Sequence, residues 1–435
     1  MPLQKIHAIW TVINDLTPYN GLRVFGIKGP LSENLLRQTL VLLQARHPFT
    51  RVSIVEQNDE LYFTDENVGE IPIITDKIAD TQKALNTKIE AELMHRFDDA
   101  SLPLFRFSLF AIDGKEDEFY LFMIAHHAVI DGASYMNFNK EVLECCAALA
   151  EGKRPENTAV LEKKSYNSVD YFDKKLFSLG SKLQFARYVF RQIKNDFRKP
   201  DKQILKVDEN GEKAVPQTGV YRIHISADHI SAIIKKARTH NTTLHGAICA
   251  ALMLAEYEFY QKNVEQKETV HFKCFSPVDL RPLMQPKLEY EHLACHVSAA
   301  GTVHELQANT DFWELAADVK SRIQLSIKRN EIFFNRIYGV QFATAARKGN
   351  NLKAGALSVS NLGRLPFGRT FGKFSITDCQ TYITNSSIIS PNLALIVYTF
   401  DQKLYFDYSF AKHRLAEKQV AGIAKRTIDF LLNSL

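Results

Sequence analysis

The chain has 435 residues and a mass of 49.6 kDa, which at about 150 residues per domain predicts two or three domains. Its content of 46% hydrophobic and 24% charged residues is that of a globular protein and excludes disorder as the overall state. A net charge of +5 on this length is weak evidence for nucleic-acid binding, because duplex binders concentrate positive charge on one face.

No run approaches the roughly 18 apolar residues of a membrane span; the longest, residues 247–255, reads as the buried part of a helix. The N-terminus, MPLQKIHAIW, has Lys5 but no apolar core or small-residue cleavage site, so a soluble, cytoplasmic protein is expected. The six cysteines (Cys145, Cys146, Cys249, Cys274, Cys295 and Cys379) contain no C-x-x-C pair, so they read as small packing residues, with neither a disulfide nor a metal site expected.

In chain order, residues 5–13 read as a strand. Ser32 then caps a helix whose apolar positions Leu35, Leu36, Leu40 and Leu43 follow the 3–4 spacing of one buried face. Residues 51–55 and 61–64 pair around Asn58-Asp59, and Asp80 opens a second helix that runs to about His95. Residues 104–112 and 118–125 form a hairpin around Asp113-Gly114, and residues 141–151 form a closing helix stopped by Gly152.

The character changes over residues 153–215. Ten Lys and Arg against four acids fall between positions 161 and 200, a net +6 that exceeds the charge of the whole chain. Phe172, Leu176, Leu179, Leu183, Phe190 and Ile193 recur at helical spacing, which predicts a basic amphipathic helix over residues 172–193. It either packs its apolar stripe on the body or docks an acidic partner or anionic lipid. Residues 202–219 read as a linker.

Alternation resumes with strands at 221–225, 270–276, 292–303, 357–360 and 373–385, and a hairpin 393–400/404–410 around Asp401-Gln402. Helices are predicted over 226–237, 243–260, 311–328 and 415–432. The pattern predicts an α/β (α+β) protein of two mixed lobes: residues 1–152, a basic helix and linker over 153–219, and residues 220–435.

Nucleotide-cradle, nucleophile-elbow and zincin motifs have no match in the sequence. The segment that stands out is YLFMIAHHAVIDGAS, residues 120–134, where an apolar strand runs into His126-His127 and Asp131-Gly132 follows. Side chains alternate on a strand, so only one histidine faces a given cavity, and Asp-Gly supplies a tight turn with Gly132 free to take positive φ. The histidines read as core residues satisfied by backbone, as metal ligands lacking an evident third partner, or as a general base with an imidazole suited to neutral pH.

The string His126-His127-Ala128-Val129-Ile130-Asp131-Gly132 matches H-H-x-x-x-D-G. It resembles the superfamily of chloramphenicol acetyltransferase, nonribosomal peptide condensation domains, plant alcohol acyltransferases, wax ester synthases and mycobacterial polyketide-associated acyltransferases. Three further stretches are similar to that superfamily, in the same order. Residues 44–51, QARHPFTR, resemble its R-H-x-x-L-R segment with Phe49-Thr50 a departure; residues 276–282, SPVDLRP, resemble P-V-D-L-R; and residues 357–363, LSVSNLG, resemble the S-N-L-G stretch of stand-alone O-acyltransferases.

The resemblance implies two chloramphenicol-acetyltransferase-like lobes with a tunnel between them. It implies that His127 is the general base, that Asp131 is structural and pairs with an arginine, here Arg281, and that Gly132 keeps the space beside His127 open. His126 is then packed on the opposite face, and Ser358, Ser360 and Asn361 are candidates for substrate contact. No metal and no covalently bound cofactor are implied; the co-substrate is a coenzyme A or phosphopantetheine thioester.

The implied function is acyl transfer from acyl-CoA or an acyl carrier protein to a hydroxyl, in lipid or secondary-metabolite biosynthesis. A free-standing condensation enzyme forming an amide, or a non-catalytic binding module of the same fold, are the alternatives. The expected partners are that thioester donor and a small alcohol or amine acceptor, with no nucleic acid, peripheral membrane contact through the basic helix, and a monomeric state.

Overall fold

The computed structural model describes residues 4–5, 18–58, 60–198, 217–348, 356–386 and 393–435. Most of the strand predicted over 5–13 and of the linker predicted over 202–219 lies outside them. The chain folds as two compact units: Met1–Tyr171 with Arg281–His296 and Arg364–Thr384, and Phe172–Leu280 with Val297–Gly363 and Asn385–Leu435. Two segments of the C-terminal half thus fold with the N-terminal unit, a discontinuity that hydrophobic patterning along a chain does not reveal.

The first unit holds a six-stranded sheet built from β2 (Asn20–Lys28), β5 (Ile73–Ile78), β6 (Phe105–Ile112), β7 (Glu118–His126), β12 (Thr370–Phe371) and β13 (Phe374–Ile383). Their order is β12-β13-β2-β7-β6-β5, antiparallel except for the parallel pair β5/β6. A small sheet of β1 (Gln4–Lys5), β3 (Ser53–Gln57) and β4 (Glu60–Thr64) accompanies it. Three helices belong to this unit: α1 (Glu33–Arg46), α2 (Gln82–Met94) and α3 (Gly132–Ala150).

Their starts are chemically marked. Ser32, Thr81 and Asp131 each accept a backbone N–H from three residues on, satisfying donors that a helix start leaves orphaned. Leu36, Leu40 and Leu43 are buried on α1 as their spacing requires. The hairpin β6/β7 turns through Gly114 at φ +75, and Gly152, at φ +70, follows the closing helix. That helix begins at Gly132 rather than near Glu141, because the Asp131 cap starts it nine residues earlier than the apolar run suggests.

Strand β2 at the centre of the sheet was not evident from the sequence, because Gly21, Arg23 and Gly26 break its apolar pattern. Gly26 has a packing reason: a Cβ there would lie 2.6 Å from Thr377 Oγ1 and 3.2 Å from the Asp378 backbone nitrogen, where β13 bulges. Edge strand β5, with Asp76 and Lys77 exposed, also lacks an apolar signature.

The second unit repeats the mixed design. Its six strands are β8 (Thr218–Ser226), β9 (Val270–Asp279), β10 (Val297–Leu306), β11 (Ala356–Arg364), β14 (Leu393–Phe400) and β15 (Lys403–Ala411), ordered β10-β9-β11-β14-β15-β8 with β9/β11 parallel. The β14/β15 hairpin turns through Asp401 and Gln402, both at positive φ. Residues 292–296 precede β10 rather than extend it.

Around this sheet lie α4 (Leu179–Arg198), α5 (Ala227–Thr239), α6 (Leu244–Asn263), α7 (Phe312–Lys328), α8 (Glu331–Lys348) and α9 (Glu417–Asn433). Helix α6 is buried all round from Gly246 to Tyr257, packed against α7 and α9, which is why its apolar residues show no stripe. The approach to α7 is so close that a Cβ at Gly246 would lie 2.6 Å from the Ala316 carbonyl oxygen. The basic helix starts later than predicted: Asp173 caps a single 3₁₀ turn, Lys174–Phe177, and Ser178 is extended before α4 begins. Among the described residues no helix is long and apolar enough to cross a membrane.

Candidate active site

Strand β7 ends in the first unit's core, where Phe122 to Ala125 are buried and paired on both sides by β2 and β6. The two histidines that follow lie in different surroundings. His126 is 2% exposed, and its Nδ1 accepts the Ala128 backbone N–H at 3.1 Å. Burial above all, then the neighbouring His127 and Arg96, pulls its pKa down to about 3, so it is a neutral core histidine at physiological pH.

His127 is partly exposed. Its backbone N–H donates to the Tyr19 carbonyl at 2.8 Å, its ring lies 5.1 Å from the Tyr19 ring, and its Nδ1 is 3.6 Å from the Cys295 sulfur. Burial, with Cys295 adding to it, pushes the Tyr19 phenol well above its ordinary range, so that group stays protonated.

Asp131 is turned onto other partners. Oδ1 accepts the backbone N–H and the hydroxyl of Ser134, each at 3.0 Å; Oδ2 accepts Nη1 of Arg281 at 2.7 Å and the backbone N–H of His296 at 2.8 Å. Four donors fill a carboxylate's lone-pair sites. Burial alone would raise the pKa of this group, but the Arg281 charge and the hydrogen bonds of Ser134 and Arg281 hold it at about 2. Arg281, 1% exposed, also donates Nη2 to the Ala294 carbonyl at 3.1 Å and lies 5.6 Å from the Tyr290 ring centroid.

Gly132 is not at positive φ. The tight turn expected for Asp-Gly is instead a helix start, with Asp131 as N-cap at φ −123 and Gly132 as the first helical residue. A reciprocal bond from the Asp131 N–H to Ser134 Oγ at 3.2 Å completes a capping box. The D-G-x-S pattern carries this cap signal, with Ser134 at the fourth position in place of the more usual glutamate.

The segment around Arg46-His47 supports the same helix. His47 Nε2 lies 2.8 Å from Glu141 Oε2, and Arg46 donates Nε to that carboxylate at 3.0 Å and Nη2 to Glu291 at 2.9 Å. Helix α1, helix α3 and the 281–296 segment are thereby tied to one another.

Ser358, Ser360 and Asn361 belong to the second unit, on β11. Ser358 is half-buried opposite Phe275, and Asn361 accepts the Gly363 N–H at 2.9 Å with Gly363 at φ +71, a local turn. Cys295 and His296 were not singled out by sequence, because their part depends on the long-range return of residues 281–296, whereas Ser134 acts locally on Asp131 and Tyr19 meets His127 through the backbone. Among the described residues no group of three or more His, Cys, Asp or Glu side chains is arranged to hold a metal ion.

The H-H-x-x-x-D-G segment thus stands at the end of a central strand of a mixed six-stranded sheet. A model of the phthiocerol/phthiodiolone dimycocerosyl transferase C-terminus matches residues 214–409. The dimycocerosyl transferase of Mycobacterium tuberculosis is 26% identical over 133 residues, 31% of this chain and 29% of that protein. The stretches matched in nonribosomal peptide synthetases make up 1% to 5% of those much longer proteins, so the chain spans less than a third of the curated relatives it matches.

Among solved structures, TRI3 trichothecene 15-O-acetyltransferase from Fusarium sporotrichioides superposes with a TM-score of 0.76 at 13% identity, covering 99% of this chain and 94% of that one. The starter condensation domain of rhizomide synthetase, in complex with C8-CoA and Leu-SNAC, gives 0.66 at 14% identity, again over 99% and 94%. The chain shares the fold of these acyltransferases and condensation domains, and its residues 214–409 are similar to the dimycocerosyl transferase C-terminus.

Proposed function

We propose that this protein transfers an acyl group from a thioester, acyl-CoA or an acyl-phosphopantetheine carrier, to a hydroxyl acceptor, with His127 as general base. The observation that carries this reading is the division of labour at the end of β7. His127 is partly exposed beside Tyr19 and Cys295, while every lone pair of Asp131 is engaged by Ser134, Arg281 and His296. Asp131 is therefore engaged elsewhere than on the His127 ring, and the base serves a reaction in which the acyl group is already activated as a thioester.

The chemistry balances without a covalent enzyme intermediate. The imidazole takes the hydroxyl proton as the acceptor oxygen bonds to the thioester carbonyl carbon. The tetrahedral oxyanion collapses, the C–S bond breaks, and the departing thiolate takes the proton back from the imidazolium. Holding the two substrates together supplies much of the rate, and the base contributes about 10²- to 10⁴-fold. His126, neutral and buried, supports the strand end; Asp131 and Arg281 hold the local frame. Gly132 is proposed to leave room beside His127, and Ser358, Ser360 and Asn361 remain candidates for substrate contact.

The S-N-L-G stretch at residues 360–363 supports a hydroxyl over an amine acceptor. The test is a panel of acyl-CoA and acyl-carrier donors with alcohol and amine acceptors, read by thiol release and product mass. Ester formation lost in His127→Ala supports the reading. Amide as the sole product would replace it with condensation, and no product from any pair, with wild type and variant alike, would favour a binding module.

A further inference from the structure

We propose that Cys295 is a positioning residue for His127, and that the Asp131–Arg281 pair acts on the base through this thiol. The inference rests on the role proposed for His127 and deepens it. The Cys295 sulfur, 1% exposed, lies 3.6 Å from His127 Nδ1. Both neighbours of Cys295 are anchored: the Ala294 carbonyl accepts Arg281 Nη2 at 3.1 Å, and the His296 N–H donates to Asp131 Oδ2 at 2.8 Å. The His127 backbone is fixed in turn by its N–H bond to the Tyr19 carbonyl at 2.8 Å. Thiol and imidazole are thus held against each other by main chain secured on both sides.

What this contact decides is the tautomer. A neutral imidazole carries one N–H, and the nitrogen that is to act as base must be the other. If Nδ1–H donates to the sulfur, Nε2 keeps its lone pair for the acceptor hydroxyl. That arrangement also survives the catalytic cycle, since the imidazolium formed on proton uptake still donates from Nδ1. The opposite arrangement, S–H donating to Nδ1, would put the proton on Nε2 and remove the base. Sulfur is a weak acceptor, so it orients the ring without the strong stabilisation of imidazolium that a carboxylate would give, and this accounts for Asp131 being engaged elsewhere.

Elsewhere Cys146 lies 3.2 Å from Thr39 Oγ1, Cys379 lies 3.6 Å from Arg23 Nη1, and Cys249 lies 3.5 Å from His245 Nε2 within the second unit.

The test is ¹⁵N NMR of the intact protein with labelled histidine, His127 being assigned by its loss in His127→Gln. The expected wild-type spectrum has protonated Nδ1 and unprotonated Nε2 at neutral pH. Cys295→Ala should shift His127 towards the other tautomer and lower kcat about five- to tenfold, the loss expected for one weak hydrogen bond, with KM little changed. Cys295→Ser, which restores an acceptor, should return both. A wild-type ring protonated on Nε2, or a tautomer unmoved in Cys295→Ala, overturns the proposal. Because the spectrum is read without turnover, it separates this inference from the acyl-transfer reading, which the donor and acceptor panel decides independently.

Discussion

Nη1 of Arg281 meets Oδ2 of Asp131 at 2.7 Å, across 150 residues of chain and with both side chains almost wholly buried. Removing one partner of such a pair strands a charge in the core. Asp131→Ala should lose about 3–5 kcal/mol of stability, measured by urea unfolding at pH 7. Arg281→Met should lose a similar amount, and Asp131→Ala combined with Arg281→Met should lose less than the sum of the two.

The pH dependence of that pair follows from its sign. The Asp131 carboxyl sits at about 2 in the folded protein, below the roughly 3.9 of an unfolded aspartate. Its contribution is present above about pH 4 and is lost as pH falls towards 2. The stability gap between wild type and Asp131→Asn should therefore narrow over that window, by on the order of 2 kcal/mol. A gap that stays constant from pH 5 to pH 2.5 would contradict the account.

His126 acts in a neighbouring range. Its folded pKa of about 3 lies below the 6.5 of an unfolded histidine, so its contribution is full above about pH 6.5 and is lost as pH falls towards 3. His126→Asn should flatten the stability profile between those limits. It should reduce kcat far less than His127→Ala does, because its Nδ1 serves the Ala128 backbone rather than substrate.

In the second unit Glu256 lies on the buried stretch of helix α6, 1% exposed, with Oε1 lacking a hydrogen-bond partner among the described residues. Burial pushes its pKa up to about 8. The neutral form fits the core, so this group's contribution is full below about pH 4.3 and is lost as pH rises towards 8. Glu256→Gln should raise stability at pH 8 by about 1–3 kcal/mol and remove that slope; thermal unfolding at pH 5 and pH 8 checks it.

Lys174, Lys175 and Lys182 are exposed on and before α4, and Leu179, Leu183 and Phe190 are exposed with them. If this surface receives the anionic phosphates of the donor or an acidic carrier, reversing the three lysines to glutamate should raise the donor KM several-fold at low salt and less at high salt. Unchanged donor kinetics at low salt would remove the surface from the account.

Much of this architecture was legible in the sequence. Ser32 and its leucines specify α1, Asp113-Gly114 the β6/β7 hairpin, and Asp401-Gln402 the β14/β15 hairpin, because caps and turns are local signals. Strand β2 was hidden in part by Gly26, whose reason is the approach of β13 some 350 residues later, and α6 shows no stripe because its Gly246–Tyr257 stretch is buried all round. His126, His127 and Asp131 were legible as a motif. The Cys295 contact was not, since it exists only once residues 281–296 return to the first unit.

The most direct measurement is the single-turnover rate of acyl transfer from a thioester donor in wild type and His127→Ala, with circular dichroism showing both folded. A fall of about 10²-fold or more, with donor binding retained, is the predicted result. A folded His127→Ala variant that transfers acyl groups at the wild-type rate would contradict the central role of this imidazole.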